Sequence, residues 1–177
     1  TCEDAATRSE VLVDVLRLID AFLVHHPSNP LADDAAFSAA NALLDLKAYD
    51  RVVTVSEAGR ERFADSDFAT SFQYMEALGH FWQRDYDPAL EAARVVAGGE
   101  SDDRDFARYI LGQIHHAQGL PGDAIRWYET VKDVYADAAE AIDYFERKSV
   151  ELDEVTIVRP GEAVELELRH RNIEEAS

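Results

Sequence analysis

Six histidines are the first residues that could hold a metal ion or move a proton: the adjacent pairs His25–His26 and His115–His116, with His80 and His170 standing alone. Adjacent residues on a helix point about 100° apart, so neither pair can bring both rings to one ion. No two histidines have the four-residue spacing that places zinc ligands on one helical face. The acidic runs Asp33–Asp34, Asp102–Asp103 with Asp105, and Glu174–Glu175 lack the central Gly and distal Glu of a calcium loop. Most of them fall where helices begin, and there a carboxylate is favoured by the positive end of the dipole. Gly98–Gly99 has neither the partner glycines nor the lysine of a phosphate loop. The single cysteine, Cys2, cannot form an internal disulfide, and no serine elbow or Cys–His arrangement accompanies it. No catalytic residue, metal ligand or cofactor is therefore expected.

Charge narrows the partners. The 177 residues carry 17 Lys and Arg against 36 Asp and Glu, a formal net charge of −19. Such a surface repels phosphate backbones and anionic bilayers, so nucleic acid is not an expected ligand. No apolar run approaches the roughly 20 residues that a membrane span needs, and direct membrane insertion is not expected either. Hydrophobic residues at 47% are enough for a folded core.

Any chemistry must be positioned by helices. From Ser9 to about Leu152 apolar residues recur at helical spacing. Thr7 with Glu10 has the form of a capping box, and Val11, Leu12, Val15, Leu16, Ile19 and Leu23 follow as one broad apolar face. Pro27 ends this first helix near His25, and Asn29–Pro30 reads as an N-cap with proline in the first turn of a second helix, about Leu31 to Leu46. Breaks at Lys47–Ala48, Ala64–Ser66, Arg84–Asp85, Gly98–Glu100 and Gly119–Leu120 divide the rest, predicting seven helices in all.

The helices come in pairs, and the pairs repeat. Tyr49, Tyr86 and Pro121, each at the start of a second helix, are spaced by 37 and 35 residues. In the clearest copy Leu111 and Gly112 precede Gly119, and Ala124, Tyr128 and Val131 follow. In the middle copy Tyr86, Pro88, Ala89 and Leu90 begin the second helix, while the first can be registered on Ala77 or on Gly79. In the earliest copy Ala40, Leu43, Leu44, Tyr49 and Val52 keep the same outline. The pattern resembles the tetratricopeptide repeat over about residues 30–150. The junction His26 to Ala35 is similar to repeat junctions of bacterial envelope proteins of the outer-membrane-assembly lipoprotein and Tol-Pal coordinator type. That likeness implies a bacterial cell-envelope or periplasmic setting, with the cytoplasm left open.

The resemblance implies an all-α, right-handed α-solenoid of about three helix pairs plus a lead-in helix, residues 1–152. First helices of such an array line its concave face. By these registers that face carries Asp34, Phe37, Asn41, Tyr74, Leu78, Phe81, Phe106, Tyr109, Gln113 and His116. Of these, Phe37, Asn41, Tyr74, Phe81, Tyr109, Gln113 and His116 form the candidate binding set, since rings with polar neighbours suit peptide recognition. The alternative at Phe37, Phe81 and Phe106 is plain inter-helix packing. Tetratricopeptide proteins that hold acidic chaperone tails use Lys and Arg beside Asn on this face; here Asn41 has no lysine beside it. The expectation is a non-catalytic scaffold for a protein or a basic peptide; the alternative is a spacer for a following domain. Oligomeric state is left open.

After Leu152 the period becomes two. Val155 and Ile157, a Pro160–Gly161 turn, and Val164, Leu166, Leu168 and His170 alternating with charges predict a β-hairpin in the tail, residues 153–177. A lone hairpin is marginal in water, so it must lean on the last helix, pair with another chain, or open a further domain. Arg159 to Asn172 weakly resembles the first strands of a macroglobulin-like β-sandwich.

Overall fold

The computed structural model describes residues 2–152 and 168–172. Among them eight α-helices follow in order: α1 (Cys2–His25), α2 (Ala32–Asp45), α3 (Tyr49–Arg62), α4 (Ala69–Gln83), α5 (Tyr86–Ala97), α6 (Arg104–Ala117), α7 (Pro121–Tyr128) and α8 (Ala136–Glu146). The body is all-α. Each helix packs on the next, and α2 also meets α4 as α4 meets α6.

Three turns are built alike. Lys47, Arg84 and Gly119, just beyond α2, α4 and α6, all take a left-handed conformation, with φ of 56°, 63° and 73°. After each of them the next N–H reaches back five residues: Ala48 to the Leu43 carbonyl, Asp85 to His80 and Leu120 to His115, at 2.9, 3.0 and 2.9 Å. This is the Schellman closure of a helix end, which satisfies otherwise orphaned carbonyls. Only Gly119 adopts that conformation without a Cβ penalty.

Burial repeats with the same offsets. Ala40, Val52, Ser56 and Gly59 are buried, as are Ala77, Ala89, Ala93 and Val96, and then Gly112, Ala124, Tyr128 and Val131. Small residues dominate these positions because the helix axes come close there. The middle register is also decided. A Cβ on Gly79 would meet Val53 and the Tyr49 carbonyl of α3, whereas one on Gly112 would meet Tyr128 of α7. Gly79 therefore faces the preceding pair, and Ala77 holds the place equivalent to Gly112.

Five expectations need correction. Eight helices replace seven, because residues after Tyr128 leave the helix: the Thr130 hydroxyl bonds the Trp127 carbonyl at 2.6 Å, Thr130 and Val131 N–H groups reach only three residues back, and Tyr135 is extended. β-Branched Thr130, Val131 and Val134 crowd a preceding helical turn and favour that exit. The helical body ends at Glu146, six residues before Leu152. There Asn172 donates its side-chain amide to the carbonyls of Phe145 and Arg147, at 2.5 and 3.2 Å. At the other end α1 begins at Cys2, so Thr7 and Glu10 lie inside it and form no capping box. The broad apolar face of α1 is split, with Leu16 buried but Val11 57% exposed. Asn29 does act in a turn, its Oδ1 accepting the Leu31 N–H at 2.9 Å, but α2 starts at Ala32.

Strands β1 (Ser149–Leu152) and β2 (Leu168–Arg171) pair antiparallel, Ser149 opposite Arg171 and Leu152 opposite Leu168. The predicted strand residues Val155, Ile157, Val164 and Leu166, and the Pro160–Gly161 turn, lie outside the described residues.

Candidate functional site

Helices α2, α4, α6 and α8 are joined side by side through aromatic rings. Phe37 of α2 stacks on Phe68 at 5.0 Å and meets Phe72 of α4 edge-on at 5.6 Å. Tyr74 of α4 lies 6.0 Å from Phe106 of α6; Phe106 and Tyr109 lie 5.8 and 5.0 Å from Tyr135, at the start of α8. Farther along, His116 meets Phe145 edge-on at 4.7 Å.

The predicted site residues thus separate into groups. Tyr74 and Tyr109 belong to one cluster, completed by Phe106 and Tyr135, and Gln113 hydrogen-bonds the Tyr109 side chain. Phe37 and Asn41 stand apart on α2, where the exposed Asn41 amide donates to the Phe37 carbonyl of its own helix at 3.1 Å. Phe81 turns toward Trp82 and Tyr86, at 5.3 and 6.5 Å. His116 sits against α8 through Phe145. Asp34 is exposed and Leu78 is buried.

Carboxylates surround the central cluster. Burial pushes the Tyr74 phenol well above its ordinary range, with Tyr135 and Asp103 adding to the effect. Burial raises Tyr109 too, followed by Asp137 and opposed by Gln113; Tyr135 rises through burial and then Asp105. Asp103 accepts the Ser71 hydroxyl at 2.6 Å, and Asp105 faces Arg108 and Arg104 at 3.3 and 3.4 Å. Asp137 has no ion-pair partner among the described residues. Phenols that stay protonated, a Phe106 ring 47% exposed and flanking carboxylates form an environment for a cation, through ring faces and charge together.

Sequence reasoning missed Tyr135 and the nearby Asp137 because it ran one helix through residues 129–135. The available signal was the β-branched run followed by Asp137 in a new first turn. A separate polar group lies between α3 and α4, where donor atoms of Glu57, Glu76 and His80 are all within 4.8 Å of one another.

No family model, curated protein or solved structure matches the chain. Among the described residues no helix is long and apolar enough to cross a membrane.

Proposed function

We propose that the chain is a right-handed α-solenoid of tetratricopeptide-like pairs, α2–α3, α4–α5 and α6–α7, with α1 as lead-in, and that it is a non-catalytic module for binding a basic peptide or protein segment. The repeated turns and the repeated burial, both offset by 37 and 35 residues, support the solenoid. One observation carries the ligand class: the Tyr74–Phe106–Tyr135–Tyr109 cluster lies among Asp103, Asp105 and Asp137. A lysine or arginine side chain fits both its rings and its charge. The net charge of −19 would draw such a partner in from a distance.

Fluorescence anisotropy with labelled Lys/Arg-rich and acidic peptides tests this. Basic peptides should bind, bind less as salt rises, and lose affinity in Phe106→Ala and Asp137→Asn. Preference for acidic peptides, or binding indifferent to salt and to both changes, would defeat the reading.

A second reading, a spacer that positions a following β-sandwich, draws on the engagement of these rings with neighbouring helices, as at Phe37 with Phe68 and His116 with Phe145. Failure of every basic peptide to bind would favour it.

A further inference from the structure

Glu76 and His80 are four residues apart on α4, so they share one face of the helix a single turn apart. Glu57 faces them from α3, which lies tightly against α4: a Cβ on Gly59 would stand 2.5 Å from the Phe72 ring. Two helices held at that distance keep the three side chains together without help from a loop. We propose that Glu57, Glu76 and His80 bind a divalent transition-metal ion of the zinc class.

The charge arrangement favours a cation there. Two carboxylates stand close together, and Arg60 supplies one positive charge, its Nε 3.3 Å from Glu76 Oε2. Glu57 has no ion-pair partner among the described residues. The Glu76 side chain is only 14% exposed, and its Oε2 is buried without a well-formed hydrogen bond among the described residues.

The donor types choose the metal. One imidazole with two carboxylates suits zinc, cobalt or nickel, whereas calcium and magnesium favour all-oxygen shells. Asp85 Oδ2 lies 3.8 Å from His80 Nδ1, beyond hydrogen-bond reach, and adds a further negative charge beside the imidazole. Donor atoms of a tetrahedral zinc site are about 3.4 Å apart for bonds near 2.1 Å. Rotation of the exposed Glu57 and of Glu76 about their side-chain torsions closes the gap from 4.8 Å. Three protein donors leave a further position for water or for a donor from a partner.

The test uses the full chain stripped with chelator, titrated with zinc by calorimetry and with cobalt by visible absorption. One ion per chain is expected, with the d–d bands of a four- or five-coordinate cobalt and a zinc-dependent rise in Tm. Because losing even an outer-shell partner typically weakens a site about tenfold or more, His80→Ala and Glu57→Gln should each weaken zinc by at least about tenfold and abolish the rise. Glu57 is exposed, so Glu57→Gln guards against a folding defect in the histidine variant. Zinc binding unchanged in both variants would place the ion on other histidines and overturn the proposal. So would an absence of zinc binding, or a preference for calcium over zinc.

Discussion

Gly112 on α6 lies against the ring of Tyr128 on α7 so closely that a β-carbon there would stand 2.5 Å from Cδ1 and Cε1. Both residues are buried, and neither helix can retreat without opening the contact. Gly112→Ala should therefore destabilise by about 1–3 kcal/mol, despite the usual advantage of alanine inside a helix. Gly122→Ala is the matched control: nothing lies within 4 Å of a Cβ there, and urea unfolding should show no loss. Ala124→Leu, at a fully buried position of α7, should also cost about 1–3 kcal/mol by overpacking.

The three left-handed turn residues predict opposite signs for exchanging glycine. A side chain in that conformation costs about 1–2 kcal/mol, partly offset by the greater freedom of glycine in the unfolded chain. Arg84→Gly and Lys47→Gly should each raise stability by up to about 1 kcal/mol. Gly119→Ala should lower it by about 1 kcal/mol, although its Cβ would meet nothing within 4 Å. Denaturant midpoints of the three variants, compared with the parent, check both signs.

Ser56 occupies the place that Ala93 and Tyr128 hold in the other two pairs, and its hydroxyl is buried with no hydrogen-bond partner among the described residues. Ser56→Ala removes a desolvated group without opening a large hole. Stability should rise by about 1 kcal/mol, read as an increase in Tm; a decrease would mean that the hydroxyl has a partner.

His115 is 7% exposed, and burial, then Arg94, hold its pKa below the ordinary 6.5. The unfolded chain therefore takes up this proton more readily than the folded one, and stability declines as pH falls below about 6.5. The decline ends at the lower folded pKa. In His115→Gln this contribution disappears, so the difference in Tm between variant and parent should change over that window and be constant above it. A difference that does not vary with pH would show that the imidazole does not titrate differently on folding.

Much of the architecture was legible because helix punctuation is local. Lys47–Ala48, Arg84–Asp85 and Gly119–Leu120 were read as breaks, and each is a helix end closed by bonds within a few residues. The exit after Tyr128 was not legible, since residues 129–135 keep helix-compatible apolar spacing while β-branching and the Thr130 hydroxyl work against the helix. That one misreading hid Tyr135, and with it the ring that joins Phe106 to Tyr109. Phe37 and Phe81 show the other limit. Helical spacing placed them on a face, but whether a ring meets a ligand or a neighbouring ring depends on helix-to-helix distance, which spacing does not encode.

The apolar interior divides into two bodies: one runs from Leu16 through Ile114, and the other gathers Ala124, Tyr128, Val131, Ala138 and Ile142. The smaller body has little to hold it once its junction with α6 opens. Amides of α7 and α8 should then exchange with deuterium through a local opening of lower free energy than the one that exposes α3 to α5. The molecule would unzip from this end, and because Tyr135 belongs to the weaker body, the aromatic cluster would come apart in the first step. A ligand seated on that cluster would act as a clasp, slowing exchange at residues it never touches.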